Sequence, residues 1–445
     1  MKRAVMLAWS SLFAISVPVV RAQAPLTLGD AAAAVLRVHP TMAAAEAALA
    51  RAESGEREAR SALLPSLQLE GSAMRFEEPM VVAPLHGFDP TRPPLFDNTL
   101  YQGAASLSYT LFDGGARRAR IGRAGQLADA AEAGAAAAAQ ALLVQLSQSY
   151  LRVLANRELV AAHRARVEAV GSERVRAAQL FEQGRAARLV LLRADAALSS
   201  AGADTVNATS QLETAERTLA RLLAQDPAAL RGRPLGAVRS DVSPPADRAA
   251  ALRASLERNA EVQRAKAQVA AAERTRREAA AAWLPRLQLA GRYVEYGSSH
   301  GRQAGEWQGG LQLGYPLFTG GARAAVVDRA QAELAAARAE LAALELRLAD
   351  AVDAALTSWA AAHARVAALG AVLGQAEEVA RVEQLALRQG AGVQSDYLLA
   401  EAEVFRARAS LAEARYAEVG ARVELARATG ELSVQWLHEN VEMAP

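Results

Sequence analysis

The chain carries one long message twice. Tyr109, Leu111, Phe112 and the pair Gly114-Gly115 return as Tyr315, Leu317, Phe318 and Gly320-Gly321, an offset of 206 residues. The register then holds without a gap for about 115 residues, matching EQG at 182–184 with RQG at 388–390 and LAR from Leu219 with LAR from Leu425. Upstream the offset is 220, so that LLPSLQLEG from Leu63 lies over WLPRLQLAG from Trp283. The difference of 14 falls between Phe76 and Asn98, where the first copy inserts EEPMVVAPLHGFDPTRPPL, a Pro-rich loop. Each copy reads helix, strand, loop, strand, long helix, tight turn, helix. The expected division is a first repeat over 23–225, a Pro-rich linker over 226–247, a second repeat over 248–430 and a tail over 431–445.

The strands alternate. In the second, Tyr101, Gly103, Ala105, Leu107, Tyr109 and Leu111 share a face against Gln102, Ala104, Ser106, Ser108 and Thr110. In the fourth, Trp307, Leu311, Leu313, Tyr315 and Leu317 alternate with Gln308, Gly310, Gln312 and Gly314. Leu67 and Leu69 oppose Gln68 and Glu70 in the first, and Leu287, Leu289 and Tyr293 oppose Gln288 and Arg292 in the third. Aromatic residues stand near the strand ends. Apolar-out, polar-in strands with aromatic ends suit a membrane barrel, although a half-buried soluble sheet shares the alternation. A bilayer does not tolerate an open sheet edge, and the smallest common closed barrel has about eight strands. One chain with four strands cannot close it; two copies would supply eight strands and three would supply 12.

The helices are too long for a globule. Residues 116–183 and 322–389 contain no proline, and about 68 residues make a helix of roughly 100 Å. Leu146, Tyr150, Val153, Arg157 and Val160, with Val352, Leu356, Trp359, His363 and Val366 as their twins, alternate spacings of four and three, the rhythm of a coiled-coil seam. His363 is expected to be a packing residue there. The shorter segments 186–224 and 248–282, laid end to end, match one long helix in length. Segments 394–429 and 28–62 match the other, so each long helix is expected to run beside two stacked shorter ones. Pro65 and Pro285 fall where helix gives way to strand, because proline cannot continue the helical ladder. Gly114, Gly115, Gly320 and Gly321 fall where strand returns to helix, because glycine permits the sharp change of backbone.

Composition narrows the function. The net charge is +2, which implies no polyanionic partner such as nucleic acid, and the absence of cysteine excludes disulfides, thiolate metal sites and a lipid-anchored Cys. Lys2 and Arg3, an apolar run from Ala4 to Val20 and the small residues near Ala22 read as a signal peptide over 1–22, cleaved to leave Gln23 first; an uncleaved inner-membrane anchor is the alternative. The uncharged stretch 133–151 is mostly Ala with interspersed Gln and Ser, and reads as a soluble Ala-rich helix rather than a span.

With LLPSLQLEG, LFDGGARRARI, WLPRLQLAG, LFTGGARAAVV and the paired turns FEQGRAARLVLLRADAAL and LRQGAGVQSDYLLAEAEV in this order, nearly all of the chain after residue 22 resembles the TolC-like outer-membrane efflux channels. The resemblance implies a mixed α and β membrane protein, a homotrimer with a 12-stranded β-barrel of four strands per chain in the lipid of a Gram-negative outer membrane. A long α-helical coiled-coil tunnel would hang into the periplasm. It further implies a passive exit duct of a tripartite efflux or type I secretion system, docking a periplasmic adaptor that links it to an inner-membrane pump, with no cofactor. By position, Gly184 and Gly390 match the hairpin-tip glycines that meet the adaptor, flanked by Gln183, Arg185, Gln389 and Ala391; where the family often carries a small hydroxylated residue after the glycine, Arg185 and Ala391 stand here. Both glycines also suit helix capping. Asp396 matches a carboxylate facing the tunnel constriction. Three such carboxylates about 6 Å apart would repel by roughly 3 kcal/mol per pair at an effective dielectric near 20, which favours bound cations or partial protonation. The next ring position is Leu399, so the ring is single or is joined by Glu401 and Glu403; a first-turn or capping acid is the other reading of Asp396.

Other chemistry finds little support. His39, His86, His163, His300 and His438 show no metal-ligand spacing, although His86 and His300 both fall in expected external loops. The glycine pairs are not followed by Lys-Ser/Thr, so they form no phosphate loop, and no hydrolase motif or acid pair stands out. A periplasmic coiled-coil adaptor or scaffold would share the signal and the long helices, but would not need alternating strands with Pro and Gly joints.

Overall fold

The computed structural model describes residues 24–82, 91, 95–239, 242–245, 247–301 and 303–443. The signal-peptide reading over 1–22 and His86 lie outside them. Along the chain run α1 (Leu28–Val38), α2 (Pro40–Ser61), β1 (Ser66–Val81), β2 (Phe96–Phe112), α3 (Ala116–Glu182), α4 (Arg188–Leu222) and α5 (Pro227–Leu230). The second copy follows with α6 (Arg248–Arg258), α7 (Ala260–Ala281), β3 (Arg286–Ser298), β4 (Gln303–Gly314), α8 (Ala322–Arg388), α9 (Gln394–Thr429) and α10 (Val434–Asn440).

The four strands form one antiparallel sheet in the order β1-β2-β3-β4. Trp307 pairs with Tyr293, which pairs with Ala105, and Leu289 pairs with Leu311 and Tyr109, so the aromatic and aliphatic residues read as one face stay in register across the sheet. That face is left bare: Leu69 and Trp307 are each 79% exposed. Two sequence expectations shift. The first insertion is not loop throughout, since β1 runs on to Val81 and Val82 N–H donates to Leu95 O at 2.8 Å. The fourth strand stops at Gly314, leaving Tyr315 and Leu317 beyond it, whereas β2 continues to Phe112. Pro316 stands where β2 has Thr110, and proline has no N–H for the ladder.

Every strand is continued by a helical stave. α2 enters β1, β2 leaves into α3, α7 enters β3, and β4 leaves into α8. α3 packs against α2 and α4 on one flank and against α7 and α9 on the other; α8 packs against α7 and α9. The polar contacts give the order along the axis. Arg120 Nε reaches Glu278 Oε1 on α7 at 3.0 Å, and farther down Gln148 Nε2 reaches Glu424 Oε1 on α9 at 3.0 Å. On the other flank the lower part of α3 meets α4 through Arg157–Glu216 and Arg166–Asp204, both 2.8 Å. The short helices therefore stack as α2 on α4 and α7 on α9. This corrects the pairing suggested by length: the end of α9 abuts the α6–α7 junction, where Asn259 Nδ2 donates to Ala428 O at 3.2 Å.

The segments 28–62 and 248–282 are each broken once rather than continuous. Both breaks fall at the same repeat position, His39 and Asn259, each ending one helix and capping the next. Asn259 Oδ1 accepts from Glu261 N–H at 2.9 Å, an N-cap that makes the new start favourable.

The core sits at mid-height. Leu143, Leu146, Tyr150 and Val153 of α3 are buried with Leu28 and Val35 of α1, Leu219 of α4, Val419 and Val423 of α9 and Leu437 of α10. Fully burying each large side chain contributes about 1.5–3 kcal/mol. The linker closes this belt through short bridges pairing Leu26 with Leu235 and Val238 with Glu442. The Tyr150 hydroxyl lies 2.8 Å from Leu26 O and 2.9 Å from Gly236 O, and burial raises its pKa above the usual phenol value.

Candidate functional site

The tips of the α3–α4 and α8–α9 hairpins are built alike. At the first, Gly184 takes φ +71°, Gly184 N–H donates to Phe181 O at 2.9 Å and Arg185 N–H to Leu180 O at 2.8 Å. At the second, Gly390 takes φ +76°, with Gly390 N–H to Leu387 O at 3.2 Å and Ala391 N–H to Ala386 O at 3.0 Å. Both are Schellman caps, which need a left-handed residue after the helix and so favour glycine. Gln183, Arg185, Gln389 and Ala391 are exposed around them.

Asp396 lies in the first turn of α9, whose N-cap is Val393, so it is not the capping residue itself. It is exposed, and one oxygen accepts from Ser395 Oγ at 3.2 Å. Leu399, one turn on, is 70% exposed on the same side of the helix. Glu403 is ion-paired with Arg406, and Glu401 stands beside Tyr397, whose pKa is raised by burial first and by this acid second. Asp396 is thus the acid of this group without a cationic or phenolic neighbour among the described contacts.

A tie between the two hairpins escaped the sequence reading. Gln394 Nε2 donates to Glu173 Oε1 at 3.0 Å, and Arg176 Nη2 reaches Leu387 O at 3.4 Å, joining the lower end of α3 to the second tip. Glu173 is buried, and nothing in its local sequence marks it. His363 is more than packing: its Nδ1 lies 2.7 Å from Oε1 of the fully buried Glu418. His300 does not need His86 for a partner, since its Nδ1 lies 2.9 Å from Asp97 Oδ2. Among the described residues no group of His, Asp and Glu could hold a metal ion.

The joints have distinct geometry. Pro65 and Pro285 each stand one residue before a strand. Gly114 and Gly115 take φ +67° and +89°, and Gly320 and Gly321 take +58° and +85°. A Cβ on Gly114 would lie 2.8 Å from Leu284 Cβ, so only glycine lets the first joint pack against the second.

A four-stranded amphipathic sheet continued by four staves defines a segment of a membrane channel wall. The profile of the outer membrane efflux protein family matches residues 32–225 and 251–431, one block per repeat. The chain belongs to that family. A search of curated proteins found no match. Among solved structures, the outer membrane protein VceC of Vibrio cholerae is similar at 19% identity with a TM-score of 0.75, covering 91% of this chain and 96% of its own. The CmeC outer membrane channel of Campylobacter jejuni has 16% identity and a TM-score of 0.75, covering 93% and 88%. The MtrE outer membrane channel of Neisseria gonorrhoeae has 20% identity and a TM-score of 0.74, covering 91% and 88%. The expected fold class, a trimeric 12-stranded barrel with four strands per chain continued by a helical tunnel, is that of these channels. The protein is an outer-membrane exit duct for efflux, a passive channel and not an enzyme, with its large helical part in the periplasm.

Proposed function

We propose that three copies close the duct edge to edge, that the hairpin tips dock a periplasmic adaptor linked to an inner-membrane pump, and that Asp396 lines the constriction. The observation that carries this reading is the pair of open edges. Among the described residues, β1 and β4 each lack a partner on one side, and so do the staves that continue them. An unpaired strand edge is costly in lipid, so β4 of one copy pairs with β1 of the next. The repeat gives the contact to expect. Gly114 packs on Leu284, so Gly320, with open space around it, packs on Leu64 of a neighbouring copy, 220 residues back from Leu284.

At the tips, Gly184 and Gly390 expose their turns with the flanking Gln183, Arg185, Gln389 and Ala391, which suits them to a helical partner. Asp396 from three copies forms a single ring with Leu399 behind it, because Glu401 and Glu403 are engaged elsewhere. Substituting Asp396→Ala is expected to raise single-channel conductance in planar bilayers and to weaken block by multivalent cations. Unchanged conductance and block would remove Asp396 from the constriction. The reading of 1–22 as a signal peptide belongs to the same proposal, checked by N-terminal sequencing of protein extracted from outer membranes.

A further inference from the structure

The two joints between barrel and tunnel are built from one pattern, yet they end with different charge. At the first, Arg117 bonds within its own repeat. Its Nε donates to Asp113 Oδ2 at 3.0 Å, its backbone N–H donates to the same oxygen at 2.9 Å, and Nη1 donates to Ala62 O at 3.2 Å. At the second, the twin Arg323 has lost that acid, because Thr319 stands where Asp113 would be. Arg286 replaces Ser66, and Trp283 replaces Leu63. The second joint therefore lacks the carboxylate beside its arginine and gains Arg286, while Ala324 stands in place of Arg118.

The Arg323 guanidinium lies 4.4 Å from the Trp283 ring centroid and 5.8 Å from that of Tyr315. Nη2 donates to Leu317 O at 3.2 Å. Nε and Nη1 are buried and have no hydrogen-bond partner among the described residues. Beside them opens a cleft of about 620 Å³, lined by Arg286, Gln288, Gln312, Tyr315 and Arg323 itself. Gln288 and Gln312 belong to the polar face of the sheet, opposite Leu289 and Leu311. Buried guanidinium N–H groups next to a polar opening call for an acceptor, and oxyanions are the groups arginine matches best.

A neighbouring copy is a poor candidate for that acceptor. The first joint already has its neighbour in place, since Gly114 packs on Leu284, and Arg117 still draws these bonds from its own repeat. By the same repeat geometry, the carboxylate a neighbouring copy would bring is Glu58, the twin of Glu278, and its place is against Val326 and Arg329, one turn beyond Arg323.

We propose that the second joint is an anion site at the neck of the duct, with Arg323 and Arg286 holding a phosphate group and Trp283 and Tyr315 covering the guanidinium. The phosphate has two possible sources, a solute inside the duct or the headgroup of an anionic phospholipid. The most informative variant is Thr319→Asp, which restores the acid of the first joint at the same four-residue spacing as Asp113 and Arg117, and so fills the site from within. Purified protein in detergent is titrated with inorganic phosphate by calorimetry, and protein extracted from outer membranes is weighed intact to detect retained phosphatidylglycerol. Wild type is expected to bind phosphate or retain the lipid, and Thr319→Asp to weaken whichever is seen about tenfold or more, the scale of one charge-assisted hydrogen bond. Arg323→Gln should do the same, and circular dichroism and unheated gel mobility confirm that either variant is folded. Binding of free phosphate without retained lipid assigns the site to solutes, and the converse assigns it to the membrane. Equal binding by wild type and folded Thr319→Asp overturns the proposal, as does a wild type that takes neither ligand. Neither assay depends on conduction, so a failed channel recording leaves the result intact.

Discussion

α3 and α8 are the same helix written twice, each of 67 residues and each following a Gly-Gly joint, yet they stand in opposite surroundings. Among the described residues, α3 lies between two flanks of its own chain, and α8 has such a flank on one side only. The residues that differ fall into a pattern. Where α3 has Arg120, Gln140, Glu173 and Arg176, α8 has Val326, Leu346, Val379 and Val382. Each of the α3 residues bonds across to the second repeat, to Glu278, Gly430 O, Gln394 and Leu387 O respectively. Each of the α8 residues is an exposed apolar side chain, Leu346 at 71%. Both helices contain stretches apolar enough to cross a membrane by composition alone, and the comparison supplies another reason for that hydropathy. At these four positions the seam within a chain is polar and specific, whereas the seam the chain offers to its neighbour is apolar. A contact made once between two surfaces already tethered can rely on hydrogen bonds for register, while one that must gather separate copies gains more from burying apolar area.

The most severe way to break this contrast is to make the outer seam polar. Leu346→Glu with Val379→Glu is expected to abolish the assembled species seen by light scattering in detergent, leaving folded monomer. Each copy would lose about 2 kcal/mol or more of burial per side chain and would bury a carboxylate without a partner. Persistence of the assembly at wild-type stability would place these residues outside the seam.

Second in size is Gly430→Ala. Gly430 caps α9 at φ +78°, and an added Cβ would lie 2.6 Å from the Arg258 carbonyl carbon at the α6–α7 break. Left-handed backbone and this clash together should cost about 2–4 kcal/mol and separate the stacked helices. Thermal unfolding followed by circular dichroism reads the loss.

A smaller effect is expected from Glu173→Val, which gives α3 the residue its twin carries at Val379. The bond to Gln394 disappears, and the second hairpin tip loses about 1 kcal/mol of tethering. Tryptic cleavage at Arg388 should then quicken about fivefold in the purified protein. An unchanged cleavage rate would show that the tie does not hold the tip.

Much of this architecture is legible in the chain because proline and glycine mark its discontinuities. Pro65, Pro285 and the two Gly-Gly pairs fix the joints, and the αL turns at Gly184 and Gly390 fix the hairpins, all from local backbone chemistry. What was not legible depends on distance or degeneracy. The helix lengths permit either stacking order equally well, so only contacts such as Asn259 with Ala428 decide between them. Asn259 is an ordinary residue inside an Ala-rich run until its side chain caps α7. Glu173 and Gln394 are 221 positions apart, and Asp97 and His300 are 203 apart, with no motif to join them. The difference between the joints was visible as Asp113 against Thr319, but acquires meaning only once Arg117 and Arg323 are seen beside them.

The mildest test uses a cap at which the first repeat carries alanine where the second carries glycine. Ala224 is the twin of Gly430, and it adopts φ +50°, the only non-glycine residue with positive φ among those described. Its N–H donates to Arg221 O at 3.1 Å and Gln225 N–H donates to Ala220 O at 2.9 Å, the same cap that Gly430 makes with Arg427 and Ala426. An L-residue in this conformation is disfavoured by about 1–2 kcal/mol, and glycine would give back part of that through the greater freedom of its unfolded chain. Ala224→Gly should therefore stabilise the protein by about 0.5–1 kcal/mol, raising the unfolding midpoint slightly while leaving assembly and conductance unchanged. The sign separates two accounts of the position. If the left-handed cap alone decides, the variant gains stability; a loss would mean that the Ala224 methyl contributes packing at the equatorial belt that the Gly430 site, pressed against Arg258, has no room to use.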